Sequence, residues 1–460
     1  MNAVVDTSIR KSLANAVGDH VVLTTVPQEY LGDATEARAL RGVADAVALP
    51  TTTEETAAVM RWCYENDVAI VPRGGGTGFS GGCVPDGGVV LSLARLGEIR
   101  SFDALLWRLE VAAGMTTAAV RTLARSSGLL FPPDPGAAEQ SHIGGNVATN
   151  AGGPHAFKYG TTRAWVTGLE AVVPPGDVIR AGSGLRKDVT GYDLASLLVG
   201  SEGTHAVVTA VSLRLIPAIE ESAPVVAFYP DASTGCEAIE RVIGCGLVPA
   251  AIEFLDAATF ALARAGFPGN SPEEPAFAVI VEADGDKAQA ARLRDELRDC
   301  LSDGALVLHV PETKAETEAL WRWREGVSLV VQAARGGKVS EDVGVPIERL
   351  RELLDATARI GEKHSLPGCN WGHAGDGNVH VTFMVDSTNA DELARAENAA
   401  AELFEVATAL GGAISGEHGV GSVKRPFVHL QLSPRERELQ QLVKSVFDPK
   451  GLLNPGKKLA

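Results

Sequence analysis

Two histidines stand seven residues apart in GHAGDGNVH, residues 372–380, and a glutamate–histidine pair stands in GEHG, residues 416–419. The first stretch is a glycine-rich turn that can fold His373 and His380 towards one point, and Glu417 can add a carboxylate. Two imidazoles and one carboxylate leave open positions on a divalent metal, as a catalytic site requires. A lone histidine is more often a satisfied structural residue, and this spacing fits no fixed zinc-ligand pattern. Three ligands in two separate glycine-rich loops shift the balance towards a site. Ahead of them, LWRWREGVSLVVQAARGG (320–337) reads as an amphipathic helix with Arg322 and Arg324 near its start. If that helix borders the site, an arginine there suits a substrate carboxylate through its planar fork; otherwise it is a solvated surface charge.

A second kind of chemistry is written in VPRGGGTGFSGG, residues 71–82. Glycine reaches positive φ at little cost, so successive N–H groups can turn towards one anion, most often a phosphate. Gly76–Gly81 spells G-x-G-x-x-G, but a Rossmann site needs a helix opening inside the loop. Here GCVPDGG follows, and then a strand, Val89–Leu93, so the loop reads as a cradle between two strands. No GK[ST] follows it, which excludes a P-loop. Alone, the motif is as well explained by a mobile turn. FPPDPGAAEQSHIGGNVATNAGGPHAFKYG (131–160) is a second such stretch, read as a turn-rich loop in which Asn146 and Asn150 offer amides. A structureless loop this long inside a compact domain is usually functional. Gly200, Glu202 and Gly203 form a third small-residue patch.

These loops need elements to hold them. At 460 residues the chain has room for about three domains. Its net charge of −17 disfavours a nucleic-acid partner. No stretch is apolar enough to span a bilayer, and no signal peptide is legible. The six scattered cysteines contain no C-x-x-C, so they read as reduced thiols of a cytosolic protein without an iron–sulfur site. Helices are expected over Asp6–Val17, Asp33–Leu40, Thr116–Ser127, Asp188–Val199 and Leu320–Ala334. Thr52 and Glu55 fit a capping box for a helix between the strands Ala44–Pro50 and Val68–Pro72. Hairpins are expected over Ile99–Ala113 and over Thr167–Val173 with Asp177–Arg180. Composition shifts after Pro217. Strands then alternate with helices over 220–410, which reads as a separate α+β domain with about four strands per sheet and a strand at Asp342–Pro346.

PRGGGTGFSGG, FPPDPG, IGGNVATNAGG, KYG, GYDL, LLVGSEGT, EDVGVP, GHAGDGNVH, GEHGVG and DPKGLLNPGK occur in that order. With them the chain resembles the FAD-linked dehydrogenases of D-2-hydroxy acids: D-lactate dehydrogenase, the FAD subunit of glycolate oxidase and D-2-hydroxyglutarate dehydrogenase. These are flavoproteins of the vanillyl-alcohol-oxidase or PCMH type. The resemblance covers roughly residues 40–217 and 320–460.

The resemblance implies an α+β fold: a two-subdomain PCMH-type FAD-binding domain (1–219), a cap domain with an antiparallel sheet (220–410), and a segment returning to the FAD domain (411–460). It implies that Arg73, Gly74, Gly75, Gly76, Thr77, Gly78, Ser80 and Gly81 cradle the FAD pyrophosphate. Pro133, Asp134, Pro135, Gly136, Ile143, Gly144, Gly145, Asn146, Thr149, Asn150, Gly152 and Gly153 would wrap the ribityl chain and flavin, with Tyr159 and Gly160. Glu202, Gly203 and Val207 would lie near the adenine end, and Asn454 joins the cofactor set. His373, His380 and Glu417 match the family's metal ligands, for zinc or manganese. His418 matches its catalytic base, Arg324 its carboxylate-binding arginine and Ser328 a substrate-side hydroxyl; Asn378 completes the catalytic set. No histidine follows the glycine triplet, so FAD is expected to be non-covalent. The hydroxyglutarate enzymes carry a lysine just before the equivalent of Asp342. Here Ser340 and Glu341 stand there and Lys338 comes earlier, which favours a monocarboxylate such as D-lactate or glycolate. The acceptor is expected to be a protein or quinone, and the location cytoplasmic or peripheral at the inner membrane through a partner. A homodimer and a subunit of an oxidase complex, catalytic or not, both stay open.

Overall fold

The computed structural model describes residues 7–274 and 276–459. Helix α1 (Thr7–Val17) matches its expectation from Thr7 onward; Asp6 lies outside the described residues. Strand β1 (Ala46–Ala48), helix α2 (Thr53–Glu65) and strands β2 (Ile70–Arg73) and β3 (Val89–Ser92) form a three-stranded parallel sheet with its crossover, in the order β1-β3-β2. The Thr52 hydroxyl caps α2 by accepting from the Glu55 N–H at 3.1 Å. The Glu55 carboxylate accepts from the N–H of Thr51, not Thr52, so the box closes one residue early. The helix expected over Asp33–Leu40 is a single 3-10 turn, Glu36–Arg38. Glu36 (φ 56°) and Ala39 (φ 43°) are left-handed there, which stops a helix from propagating.

Next come β4 (Ile99–Asp103), β5 (Arg108–Ala112), α3 (Thr117–Ser126), β6 (Leu129–Leu130), α4 (Ile143–Thr149), α5 (Ala156–Tyr159), β7 (Val166–Val173), β8 (Asp177–Ala181), α6 (Leu194–Leu198), β9 (Val207–Arg214) and β10 (Ile216–Pro217). Strands β4-β5-β9-β7-β8 make an antiparallel sheet, and β6 pairs with β10. Val111, Leu169, Ala171, Val211 and Leu213 of that sheet share one core with Val59 and Met60 of α2 and Val89 and Leu91 of β3.

Two further expectations fail in this half. The stretch 131–160 is not all loop, because α4 and α5 lie inside it. Two adjacent glycines in the first turn of α4 lower its helix propensity, yet the packing needs the first of them: a Cβ on Gly144 would meet that of Ala113 at 2.7 Å. The helix read over 188–199 shrinks to α6, because Gly191 turns at φ 78° and Asp193 caps only at that point, accepting from the Ser196 N–H at 2.9 Å.

The second half holds β11 (Glu221–Tyr229), α7 (Ala232–Gly244), β12 (Ala251–Leu255), α8 (Ala257–Ala263), β13 (Phe277–Gly285), α9 (Lys287–Ser302), β14 (Val307–His309), α10 (Lys314–Arg335), β15 (Gly337–Gly344), α11 (Leu350–His364), β16 (Gly368–His373), β17 (Asn378–Val385) and α12 (Ala390–Ala409). In place of about four strands per sheet there is one antiparallel sheet of seven, ordered β14-β11-β13-β12-β16-β17-β15. The three late strands join the four early ones through the pairing of β12 with β16. Side chains alternate between the two faces of the strands. One set, including Val225, Ala227, Tyr229, Val381 and Phe383, packs with residues of α7, α9, α11 and α12; the other, including Val226, Phe228, Trp371 and Met384, packs with residues of α8 and α10. With both faces covered, every residue of β17 is buried.

The chain then crosses back. Helices α13 (Val428–Gln431) and α14 (Pro434–Phe447) precede a tail in which Leu453 bridges Ile70 of β2 in parallel. The Lys444 ammonium pairs with the buried Asp448 carboxylate and donates to the carbonyl of Thr204 at 2.7 Å.

Candidate active site

The face of the seven-stranded sheet that α8 and α10 cover carries the polar side chains of the site. Period-two alternation puts Lys338, Ser340 and Asp342 of β15, Trp371 and His373 of β16, His380 of β17 and Glu253 of β12 on the face that α10 covers. Register sets them side by side: Glu253 pairs with His373, Trp371 with His380, and His380 with Asp342. From α10, Arg324 is buried and Ser328 lies one turn further along. Arg322 is exposed.

His373, His380 and Glu417 each offer one ligand atom, and these atoms lie within 4.8 Å of one another. His373 Nε2 is 3.3 Å and His380 Nε2 3.8 Å from Glu417 Oε1. The remaining His373 nitrogen, Nδ1, is 2.5 Å from Glu253 Oε1. That carboxylate fixes the ring so that Nε2 faces the cluster, the usual arrangement behind a metal-binding imidazole. The donor set therefore fits a divalent cation. Burial opposes charge on His373, but Glu253 and Glu417 push its pKa up to about 10. His380 is driven well below its usual value by burial and by the neighbouring His418 and His373. Burial opposes ionisation of Glu417, yet the three imidazoles hold it down to about 2.

His418 shares the Glu417 turn. Its ring stacks on His380 (5.2 Å between centroids) and lies 4.8 Å from Phe79 of the glycine loop. Asp342 holds the turn. Its fully buried carboxylate accepts from the N–H groups of Glu417 (2.5 Å) and His418 (2.9 Å) and from Ser415 Oγ (3.2 Å), and it pairs with the Lys424 ammonium. Burial pulls the Asp342 carboxyl up, but His418, Lys424 and these bonds keep it well below the usual carboxylate range.

Two cations face the same space. Arg324 Nη2 is 2.5 Å from Glu253 Oε2, but the pair is not aligned as a hydrogen bond, and Nε and Nη2 of Arg324 are buried without an acceptor. Lys338 is held otherwise: its Nζ lies 3.0 Å from Glu36 Oε1, donates to Ser328 Oγ, and stands 5.2 Å from the Trp371 ring centroid.

All this opens on a cavity of about 430 Å³ that runs on to the glycine loop. The sheet and helix lining includes Arg324, Ser328, Lys338, His373, His380, Glu417 and His418. Of the cofactor set, Arg73, Gly74, Gly75, Gly76, Thr77, Gly78, Ser80, Pro135, Gly136, Gly144, Gly145, Asn146, Thr149, Gly153, Glu202, Gly203 and Val207 line it. Among the described residues, none of the N–H groups of residues 75–79 meets a protein acceptor, and Gly76 turns at φ 71°. Such a loop suits a phosphate group. A Cβ on Gly74 would touch Gly145 at 3.4 Å, so the cradle abuts the first turn of α4. FAD fits these features.

Many members of the set also hold the scaffold together, some of them behind the wall. Arg73 spends its guanidinium on the carbonyls of Gly32 (2.6 Å) and Glu29 (2.7 Å). Asn146 donates to Thr117 Oγ1 at 2.6 Å, locking α4 to α3. Ile143 is core, and Asn150 accepts from the Arg163 N–H at 2.9 Å. Gly81 turns at φ 73° and Gly160 at φ 75°. Pro133 is buried, and Asp134 and Tyr159 join a cluster across to β13: His155 links Asp134 to Glu282, while Lys158 and Tyr159 meet Asp284. A Cβ on Gly152 would meet Glu417 Oε2 at 2.9 Å. Asn378 lies outside the cavity, with its amide against Gly416. Glu202 accepts from the N–H groups of Val420 (2.9 Å) and Gly421 (2.7 Å), and Asn454 donates to the carbonyls of Gly82 (3.0 Å) and Glu202 (2.7 Å). These two tie the C-terminal segment to the glycine loop.

Sequence reasoning missed Glu253, Glu36, Trp371 and Lys424, and used Asp342 and Lys338 only as landmarks. One signal was present: Glu253 is the lone charge in the apolar run AAIEFL.

Residues 219–458 match the family "FAD linked oxidases, C-terminal domain", and residues 44–182 match "FAD binding domain". The chain is 36% identical over 418 residues to the glycolate oxidase subunit GlcD of Bacillus subtilis, covering 90% of this chain and 89% of that one. It is 36% identical over 420 residues to a D-2-hydroxyglutarate dehydrogenase of Xanthomonas citri pv. viticola (90% and 88% covered). It is 32% identical over 419 residues to a D-lactate dehydrogenase of Anaerostipes hadrus (88% of each). The crystal structure of p-cresol methylhydroxylase with substrate bound superposes with a TM-score of 0.81 at 18% identity, covering 98% and 96%; this is a shared fold.

Proposed function

Because the chain belongs to the FAD linked oxidases, we propose that it oxidises a D-2-hydroxy monocarboxylate, D-lactate or glycolate, to the 2-oxo acid and passes the electrons to a non-nicotinamide acceptor. One observation carries this reading: the glycine cradle, Arg324 and the histidine–glutamate cluster line a single cavity. When bound, FAD supplies the hydride acceptor, and a zinc or manganese ion supplies the Lewis acid that lowers a hydroxyl pKa.

The residues divide the remaining work. Arg324 binds the substrate carboxylate, offering its Nε, which has no acceptor, while Nη2 faces Glu253 at 2.5 Å. His373, His380 and Glu417 would hold the ion. His418 takes the hydroxyl proton; with Nδ1 3.5 Å from Asp342, its Nε2 is left as the accepting atom. Asp342 keeps Glu417 and His418 in one turn, and Phe79 brings the cofactor loop against the base.

The test is anaerobic. Holoenzyme is mixed with D-lactate, L-lactate, glycolate or D-2-hydroxyglutarate, and flavin absorbance is followed. D-lactate or glycolate should bleach it. A flavin that stays oxidised with the whole panel refutes the reading.

A further inference from the structure

The cavity holds two buried cations that differ in how they are satisfied. Arg324 Nη2 faces Glu253 Oε2 at 2.5 Å, but its buried Nε donor has no acceptor and can still take one carboxylate. Lys338 has none to spare: Glu36 Oε1 sits at 3.0 Å, Ser328 Oγ accepts a hydrogen bond, and the Trp371 ring covers a third side at 5.2 Å. Trp371 in turn lies 5.9 Å from His380. The Lys338 ammonium thus stands one aromatic ring away from the metal-binding cluster, where the far end of a longer substrate would lie.

Glu36 comes from outside the sheet. It sits in the 3-10 turn before β1, in a left-handed conformation (φ 56°) that costs a non-glycine residue energy. The turn is held in place from the sheet side, since Arg38 pairs with Glu341 and its Nε donates to Glu397 at 2.7 Å. A strained residue clamped so that its carboxylate meets one lysine in the cavity is a positioned charge.

We propose that Glu36 is a specificity-determining residue: by neutralising Lys338 it denies the cavity a second anion site and restricts the enzyme to 2-hydroxy acids with one carboxylate. This rests on the proposed function above. Neutralising Glu36 would hand the Lys338 ammonium to the distal carboxylate of a 2-hydroxy dicarboxylic acid. A charge-assisted hydrogen bond of that kind corresponds to roughly a tenfold to hundredfold gain in affinity.

The experiment compares wild-type, Glu36→Gln and Glu36→Gln/Lys338→Met holoenzymes. The kcat/KM ratio of D-2-hydroxyglutarate to D-lactate is read from flavin reduction. Binding of 2-oxoglutarate and pyruvate is read by calorimetry. The ratio should rise about tenfold or more in Glu36→Gln and fall back in the double variant. Affinity for 2-oxoglutarate should rise in parallel, with pyruvate moving little. An unchanged ratio and unchanged 2-oxoglutarate binding in Glu36→Gln overturn the proposal. So does a wild-type enzyme that binds 2-oxoglutarate about tenfold more tightly than pyruvate, a measurement that needs no variant to fold. If neither acid bleaches the wild-type flavin, the proposed function falls, while the calorimetry still decides on Glu36.

Discussion

Replacing Asp342 by asparagine preserves shape and removes only charge and one acceptor. In the native protein one oxygen, Oδ2, accepts from the N–H groups of Glu417 and His418, and the other, Oδ1, faces Ser415 and the Lys424 ammonium. The asparagine NH₂ must face one of these pairs of donors. Facing the backbone N–H pair it breaks two bonds to what was a charged group; facing Ser415 and Lys424 it breaks one, because the Ser415 hydroxyl can accept from it while donating to the Gly419 carbonyl. At about 1.5–3 kcal/mol for each such bond, the loss should be at least about 1.5–3 kcal/mol. Lys424, 2% exposed, is left with only the Glu341 carboxylate, 3.5 Å away, as its counter-charge. The folded pKa of Asp342 is depressed, so its contribution is whole above the unfolded value of about 4 and fades as pH falls below it. Urea midpoints measured from pH 3 to 7 should show a large drop at pH 7 and a shallower acid limb in Asp342→Asn. Metal content after dialysis should fall with the midpoint, since the turn carrying Glu417 loses its anchor. A variant with the wild-type midpoint, acid limb and metal content would refute the account of Asp342 as the hub of this turn.

His418→Ala should slow flavin reduction by about 10²–10⁴-fold, the usual worth of a general base, with FAD and metal content unchanged; loss of metal along with rate would make His418 a ligand instead. Arg324→Lys keeps the charge but loses the fork, and KM should rise roughly tenfold to a hundredfold; steady-state kinetics with an unchanged KM would place the substrate carboxylate elsewhere. Burial lowers the His155 pKa, but Asp134 and Glu282 raise it well above its usual value. Its stabilisation is then complete below about pH 6.5 and is lost as pH rises through the raised value. Thermal melts should show wild-type Tm declining on that alkaline limb and His155→Gln lying lower and flatter; parallel curves would mean the imidazole titrates elsewhere.

How far these groups could be read in advance depended on whether their roles are local. A backbone that must bend around an anion demands glycines in one stretch, so the cradle announced itself. The metal-ligand candidates stood in two short glycine-rich loops, where the three residue types together outweighed the structural reading of each histidine alone. Glu253 gave almost no sign, because its partner His373 is 120 residues away and the two meet only through the register of β12 on β16. Lys338 was misjudged for a similar reason. Position along the chain set it apart from Ser340, whereas residues two apart on a strand share a face. The helix α4 stayed hidden because Gly144, which lets it approach Ala113, and its neighbour Gly145 argue against a helix.

The clasp of Glu202 and Asn454 on the returning segment also bears on the order in which the protein is made. Strands β1 to β17 and every glycine of the cradle emerge from the ribosome before Glu417 and His418 do. Until the later residues arrive, Val420 and Gly421 cannot satisfy Glu202, Asn454 cannot bridge Gly82 to Glu202, and the metal-ligand set has only its two histidines. A nascent chain therefore has the surface for FAD before it has a working oxidant's second half, and a polypeptide stopped short of Glu417 carries no carboxylate to complete the cluster. Closing the chain onto the cradle is the step that brings Glu417 and His418 to the cavity that the glycine loop lines.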